Sequence, residues 1–410
     1  MKSIFTFLIT VLLISSAFAQ TSVDVITGAG YPDEVYYNLT NDVSKTSPRN
    51  SWDIAFSSTQ MSVSVLANNG TGVLVYTWTK GTIDDWETLD TTGMAWTPLY
   101  NSIEDWEFGA FNDNTDTSNV FDYGWGKYNI ASHNITGDSI FIVKLVGGEF
   151  KKFAIQQKNA IQNVWKFQTA NLDGTADTTI TLDAKMYSKQ SFIHFSLATN
   201  SVVEQEPAER WQLLFTKYYD YNIPYIVTGV LANAGVRVQQ VNGVSQSGFN
   251  DYSIGLMNDS LSQIGYDWKK LNQSFTYDVL DDIVYFVQDT VGTDHSVWKI
   301  YFTGFGGSAD GKYSFVKTKM NATSVNEISD RNLVLYPNPA KHEINIIHDF
   351  YGETEISVYN ISGQLVINRY LNESAGLNKQ TLDVSSLTSG IYSVKVRSGN
   401  EMKSVKFIKE

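Results

Sequence analysis

Cysteine is absent from this 410-residue sequence, and positively charged residues are few. The absence of cysteine excludes disulfide bonds, Cys-ligated zinc, iron–sulfur clusters and a thiol nucleophile. The chain has 30 Lys and Arg against 43 Asp and Glu, which leaves a formal net charge of -13. Because phosphate binding requires a basic surface, we do not expect nucleic acid as a partner.

Long apolar runs are also rare, and the clearest one lies at the N-terminus. Lys2 precedes an apolar stretch over residues 4–14, and Ala17 to Ala19 form a small-x-small cleavage site. This order is typical of a secretory signal peptide, so we predict one over residues 1–19, with cleavage between Ala19 and Gln20. No later segment has the roughly 18 apolar residues of a membrane helix, so we expect no transmembrane segment in the mature chain.

Apolar and aromatic residues are abundant, with 42% hydrophobic residues, 10 Trp, 23 Tyr and 22 Phe. This composition predicts packed domains and excludes a disordered chain. Residues 20–330 have a net charge of -15 and contain every Trp, whereas residues 331–410 have a net charge of +1 and contain none. The polar stretch from 320 to 332 has the composition of a linker. We therefore predict a separate C-terminal domain over residues 331–410.

The C-terminal domain alternates apolar and polar residues with period two, in about seven short segments separated by turn residues. This pattern predicts a small β-sandwich. Three strings, at 335–339, 359–366 and 387–392, resemble the C-terminal sorting domain (type A) of type IX secretion substrates. The residues that carry the resemblance are Tyr336, Pro337, Asn338, Pro339, Gly363, Gly390 and Tyr392. The resemblance implies recognition by the type IX machinery of Bacteroidota-type bacteria and delivery to the cell surface or the medium. An unrelated small β-domain is the alternative.

Residues 30–320 alternate at the same period, rich in Thr, Val, Tyr and Phe, and show no long helical period. Two segments recur in the same order. The string from Trp52 to Ser57 matches the one from Trp211 to Thr216, and a Gly-turned hairpin over 138–155 matches a hairpin over 282–302. We predict an all-β body built from a duplicated antiparallel unit, with units over 20–185 and 186–325.

These repeated strings, together with the string from Gly265 to Lys269, resemble the HmuY-like haem-binding proteins. The resemblance implies an all-β, secreted or surface-held protein that captures haem released from host or environmental haemoproteins. The chain departs from the family pattern because it contains two units where a compact haemophore would have one. We therefore expect a ligand-binding protein, with haem as the expected cofactor, and we do not expect an enzyme.

Haem iron requires His, Met, Tyr or Cys as axial ligands in an apolar pocket. The body has three histidines, of which His295 is the third, and we predict His133 and His194 as the ligand pair. His133 precedes a strand of the repeated hairpin, and His194 alternates with Phe192 on a strand. The further possible ligands are Met61, Met94, Met186 and Met257. A packed or surface role is the alternative for each of them.

Tryptophan is densest in the first unit, at Trp78, Trp86, Trp96, Trp106 and Trp125. If these rings are exposed on one face, they would stack on a porphyrin or a sugar, which is the basis of our alternative function, a surface adhesin or glycan-binding module without haem. If they are buried, they form the core.

Acidic residues offer two further readings. Asp113, Asp116 and Asp122 lie in or beside a polar loop without EF-hand spacing, so a solvated loop competes with a calcium site. Carboxylate doublets such as Asp84-Asp85 point to opposite faces of a strand and do not form the facing pair of a glycosidase. A hydrolase is the third candidate function, after haem binding and glycan binding. We expect no other metal site.

Overall fold

We describe a computed structural model of the chain over residues 20–253, 256–291, 295–320, 333–360, 365–398 and 401–410. The predicted signal peptide, the linker residues 321–332 and Gly363 of the sorting motif lie outside these residues. The chain forms two compact units, which we call the body (Met1–Met320) and the tail (Asn321–Glu410).

The structure confirms the predicted all-β fold, because alternating apolar residues form antiparallel strands with one buried face. The chain first forms β1 (Gln20–Ile26), β2 (Asp33–Asn38) and β3 (Asp42–Pro48). It continues with β4 (Ile54–Ser57), β5 (Val65–Ala67), β6 (Leu74–Thr77), β7 (Pro98–Leu99), β8 (Gly126–Asn129), β9 (Asn134–Gly137), β10 (Phe141–Lys144), β11 (Phe150–Asn159), β12 (Val164–Asn171), β13 (Thr178–Asp183), β14 (Phe192–Ser196) and β15 (Ser201–Val203).

The body ends with β16 (Leu213–Asp220), β17 (Tyr225–Ala232), β18 (Val236–Asn242), β19 (Lys269–Leu271), β20 (Tyr277–Val279), β21 (Ile283–Asp289), β22 (Val297–Phe305) and β23 (Lys312–Met320). Short 3-10 helices occur at Asn69–Thr71, Ile83–Thr88, Ala110–Asn112, Ala184–Tyr187 and Gly307–Ala309. Over the described ranges, none of these helices has the length and apolarity needed to cross a lipid bilayer.

The first sandwich of the body consists of two sheets around one aromatic core. One sheet has the order β13-β12-β11-β10-β6-β7, with β8 and β9 beside β11, and the other has the order β15-β14-β4-β5. The inward side chains of both sheets meet in this core, which includes Phe56, Phe153, Trp165 and Phe195. Burial of such large rings supplies much of the free energy that stabilises a cysteine-free fold.

The second sandwich repeats this arrangement. Its sheets have the orders β1-β23-β22-β21-β18 and β17-β16-β2-β3. Its core includes Tyr37, Phe215, Trp268 and Phe315. A separate two-stranded sheet, β19-β20, belongs to this half of the sequence.

The two sandwiches exchange strands between the sequence repeats. In the second sandwich, β1 pairs with β23, β2 pairs with β16, and β3 pairs with β2. In the first sandwich, β13 to β15 occupy the equivalent positions. The strand pairs therefore cross the 185/186 position at which we divided the repeats. All strands of the first sandwich lie between β4 and β15, within residues 54–203. Residues 49–53, between β3 and β4, connect one sandwich to the other.

The outer faces of the two four-stranded sheets pack against each other. Apolar side chains of β2, β16 and β17 cover one face, and those of β4, β5 and β14 cover the other, with Trp106 in contact with both groups. The backbones approach closely at Gly70, where a Cβ atom would overlap the Lys217 carbonyl oxygen. A residue larger than glycine would therefore push the two sheets apart.

The tail is a β-sandwich of seven described strands. These are β24 (Leu333–Tyr336), β25 (Glu343–His348), β26 (Gly352–Asn360), β27 (Leu365–Glu373), β28 (Asn378–Asp383), β29 (Gly390–Ser398) and β30 (Glu401–Lys409). The sheets β24-β25-β28 and β27-β26-β29-β30 enclose a core of aliphatic residues with Phe350, Tyr392 and Phe407.

Candidate functional site

A cavity of about 830 Å³, including its opening to solvent, lies between the packed faces of the two four-stranded sheets. Aromatic rings form much of its wall, beside polar side chains that include Glu34, Glu206 and Thr216. The main rings are those of Tyr36, Trp52, Trp106, Phe192, Trp211 and Tyr218. Apolar concave sites with a few polar groups are the usual form of small-molecule sites.

Two edge-to-face ring pairs occupy equivalent positions in the two sandwiches. The Tyr36 and Trp211 rings lie 5.1 Å apart at 74°, and the His194 and Trp52 rings lie 4.7 Å apart at 81°. The equivalence follows from strand register, since Val35 opposes Phe215 just as Ile193 opposes Phe56. The cavity is thus formed by two related halves with different chemistry.

Two buried carboxylates belong to the Tyr36–Trp211 half. Glu34 accepts hydrogen bonds from the Tyr36 hydroxyl (2.9 Å), the Gln205 amide (2.7 Å) and the Thr216 hydroxyl (2.9 Å). Glu206 accepts bonds from the Trp211 indole N–H and from two backbone N–H groups. Burial raises the pKa of each carboxyl, and these hydrogen bonds oppose that rise. Protein donors bind all four of these carboxylate oxygens.

His194 is the histidine of the cavity wall, on β14. Burial lowers the pKa of its imidazole to about 3, and a hydrogen bond to the Phe192 backbone only partly opposes this effect. The ring is therefore neutral at physiological pH. A neutral imidazole is the form that binds a metal through its lone pair.

The structure does not bring the predicted ligand pair together at this cavity. His133 lies in the exposed turn between β8 and β9, where its Nδ1 is 2.6 Å from the Tyr128 hydroxyl, and it is not part of the cavity wall. The methionines are also elsewhere. Met61 and Met186 are exposed, Met94 packs with Trp78, and Met257 packs beside Phe286.

The five clustered tryptophans are spread over different environments. Trp78 and Trp86 are buried in one apolar cluster, and Trp125 is fully buried in the first core. Trp106 lines the cavity and donates its indole N–H to the Ala232 carbonyl at 2.8 Å. Trp96 is 44% exposed and contacts Tyr76 and Phe150. The five rings therefore do not form one binding face.

Each carboxylate of the acidic loop accepts a hydrogen bond from a backbone N–H group. Asp116 accepts from the Ser118 N–H, Asp122 from the Gly124 N–H, and Asp113 from the Tyr100 N–H. In the part of the chain that the structure describes, no group of three His, Asp or Glu side chains is placed to hold a metal ion.

Several residues of the cavity were not recognised as site residues from the sequence. Trp52 and Trp211 were identified only as markers of the repeat, and Tyr36, Glu34 and Glu206 were not identified at all. The available signal was Glu34, which directly precedes the apolar and aromatic run of β2. The sequence does not show that two distant sheets stack at this point.

The residues of the sorting motif join the start of the tail to its last strand. Asn338 Oδ1 accepts the Ile408 N–H at 2.9 Å, and the Ala340 N–H donates to the Ile408 carbonyl at 2.8 Å. Tyr392 stacks on Phe407 and donates its hydroxyl to the Thr388 carbonyl at 2.9 Å. Gly390 begins β29.

The comparisons with known proteins agree with this description of the tail. The family described as secretion system C-terminal sorting domain matches residues 334–410. No curated protein sequence matches the chain. Among solved structures, dimeric latent PorU from Porphyromonas gingivalis is similar at 11% identity and a TM-score of 0.17, over 95% of this chain and 34% of that one. The chain thus spans about a third of that structure's length, and a likeness of this size carries no argument.

The tail is therefore a type IX secretion sorting domain, and the chain is a type IX secreted protein destined for the cell surface or the outside.

Proposed function

We propose that the body is a ligand-binding protein that holds haem in the cavity between the two sheets, with His194 as an iron ligand, and that it has no enzymatic activity. The observation that carries this proposal is a neutral, buried imidazole in a wall of aromatic rings. An apolar pocket with a neutral histidine is the environment in which proteins bind haem iron. The sequence resemblance to the HmuY-like proteins adds support for this ligand.

The role of the cavity carboxylates supports binding over hydrolysis. Protein N–H and O–H groups donate hydrogen bonds to the carboxylate oxygens of Glu34 and Glu206. Neither carboxylate is therefore a free acid or base facing a ligand. A hydrolase would require a carboxyl or another group that reaches the bond to be broken.

Titration of the mature chain, residues 20–410, with haemin tests the proposal. We expect a shifted Soret band and sub-micromolar binding. His194→Ala should remove the shift attributable to iron ligation, whereas His133→Ala, in the exposed turn, serves as the matched control and should bind like the wild type. A wild-type protein that leaves the haemin spectrum unchanged would refute haem binding, and an unchanged H194A spectrum would refute His194 as the ligand.

We further propose that export begins with removal of residues 1–19 and that residues 331–410 alone direct a cargo to the surface. The sorting domain supports the second step. A neutral cargo fused to residues 331–410 behind a signal peptide should reach the cell surface in a type IX secreting host. Retention of the folded cargo in the periplasm would contradict this role, and N-terminal sequencing of the mature protein would test cleavage after Ala19.

A glycan-binding surface protein is the second candidate function. The observation that favours it is Trp96, whose ring is 44% exposed beside Tyr76. An exposed indole can stack on a sugar ring. Binding on a glycan array that Trp96→Ala abolishes, together with no response to haemin, would replace the haem proposal by this one.

A further inference from the structure

The two related halves of the cavity differ in whether the indole N–H of their tryptophan has a hydrogen-bond partner. In one half, the Trp211 indole N–H donates to Glu206 at 2.8 Å. In the other half, the Trp52 indole N–H is buried and has no hydrogen-bond partner. Trp52 is 8% exposed and lines the cavity.

This unpaired indole N–H is an exception among the buried tryptophans of the protein. The other six buried tryptophans each donate to a protein acceptor, namely Trp78, Trp86, Trp125, Trp165, Trp211 and Trp268. A buried N–H without an acceptor is destabilising, because it has lost its hydrogen bond to water and gained none in exchange. Such a group in a native structure requires an explanation.

The difference arises from the residues that replace the two glutamates. Glu206 lies five residues before Trp211, and the residue five before Trp52 is Ser47, whose hydroxyl donates to the Gln205 carbonyl. Glu34 precedes Tyr36 by two residues, and the residue two before His194 is Phe192. The Trp52–His194 half therefore lacks both acceptors that complete the Tyr36–Trp211 half.

We propose that the indole N–H of Trp52 donates a hydrogen bond to the bound ligand, and that this ligand carries an acceptor oxygen, as a carboxylate or carbonyl, beside an apolar ring. This inference rests on the proposed function, since it places the ligand in the same cavity. Trp52 then determines specificity by rejecting apolar ligands that leave its N–H unpaired, while His194, its ring neighbour, stays neutral. The propionate-bearing haem is one member of this class.

Two measurements on the mature chain test the role of Trp52. In the first, haemin titrations compare the wild type with Trp52→Phe and, as a control outside the cavity wall, Trp298→Phe on β22. We expect W52F to weaken haemin binding about three- to tenfold, which corresponds to the loss of one hydrogen bond, and W298F to leave haemin binding unchanged. Equal affinity of W52F and wild type would overturn the inference.

The second measurement does not depend on haem. In protein labelled with ¹⁵N-tryptophan, the indole signals of Trp52 and Trp211 are assigned from W52F and W211F. Phenylacetate, a ring with a carboxylate, should shift the Trp52 signal downfield and leave the Trp211 signal in place, and toluene, which has no acceptor, should not produce the downfield shift. Absence of haemin binding with a phenylacetate response would refute the haem proposal alone. A Trp52 signal that phenylacetate leaves unmoved would refute the inference.

Discussion

Glu206 accepts the indole N–H of Trp211 at 2.8 Å, in the segment that leads the chain from β15 to β16. The same carboxylate accepts the backbone N–H groups of Ser191 (2.8 Å) and Phe192 (2.9 Å) at the start of β14. One side chain therefore links a strand of the first sandwich to a tryptophan that leads into the second. The interface depends on this acceptor because all three donors are N–H groups, which cannot reverse their role.

Glu206→Gln should therefore destabilise the body more than Glu34→Gln. In E206Q, the new amide NH₂ must face at least one N–H donor, and we expect a loss of about 1–3 kcal/mol in the free energy of unfolding. In E34Q, the NH₂ can face the Thr216 hydroxyl, which can rotate to accept, so the loss should be about 1 kcal/mol or less. Urea unfolding of both variants gives the comparison. An E34Q loss equal to or larger than that of E206Q would contradict this reading.

His194 should make the stability of the body dependent on pH. Its pKa in the folded state is about 3, below the usual value of 6.5 for histidine. The native state thus binds fewer protons than the unfolded state, so this contribution is complete above about pH 7 and is lost as the pH falls toward 3. The size of the shift corresponds to a few kcal/mol.

His194→Phe removes this titration while keeping a ring against Trp52. We expect the urea midpoint of the wild type to fall more steeply between pH 7 and pH 4 than that of H194F. Parallel pH curves for the two proteins would show that the imidazole is not held neutral by burial.

Gly70 should tolerate no side chain, because its Cα faces the Lys217 carbonyl across the contact between the two sheets. Gly70→Ala should cost about 1–3 kcal/mol through overpacking. Gly147, in the turn between β10 and β11, has no atom within 4 Å of a Cβ and provides the matched control. Chemical unfolding should give G147A a stability within about 0.5 kcal/mol of wild type, and an equally mild effect in G70A would mean that the sheets are not in close contact.

The strand exchange predicts which fragments fold. Residues 49–203 contain every strand of the first sandwich. Residues 20–185 lack β14 and β15, and they carry β1 and β2 without their partners β23 and β16. We expect 49–203 to unfold cooperatively with dispersed NMR signals and 20–185 to remain without a complete core. If 20–185 folds and 49–203 does not, the exchange of strands between repeats is wrong.

Local patterns in the sequence predict the strands well and their partners poorly. Alternation around Val35, Phe56 and Phe215 is enough to predict strands, because period-two burial is a property of neighbouring residues. The repeat of the Trp52 and Trp211 strings indicates two similar units. The pairing of β2 with β16 joins residues about 180 positions apart, and no local pattern contains that information.

The same distinction between local pattern and long-range packing applies to the candidate site. His194 was identified from its residue type and its place on a strand, and the structure places it in the cavity wall. His133 was chosen on the same grounds and lies in an exposed turn. The two residues differ because a second sheet packs over His194, whereas His133 stays exposed. This difference depends on tertiary packing.

The sequence by itself determined the all-β class, the separate tail and its sorting motif, and the need for a cysteine-free aromatic core, because these depend on composition and on short-range periodicity. Tertiary structure alone decided that β1 to β3 of the first repeat join the second sandwich while β14 and β15 of the second repeat join the first, and that the outer sheets enclose a cavity. It also decided that the Trp52 indole N–H lacks an acceptor, whereas that of Trp211 donates to Glu206. The physical reason is that burial and hydrogen-bond partners are set by contacts between residues distant in the chain. The absence of cysteine, visible at once in the sequence, leaves those packed rings and paired strands to stabilise the fold.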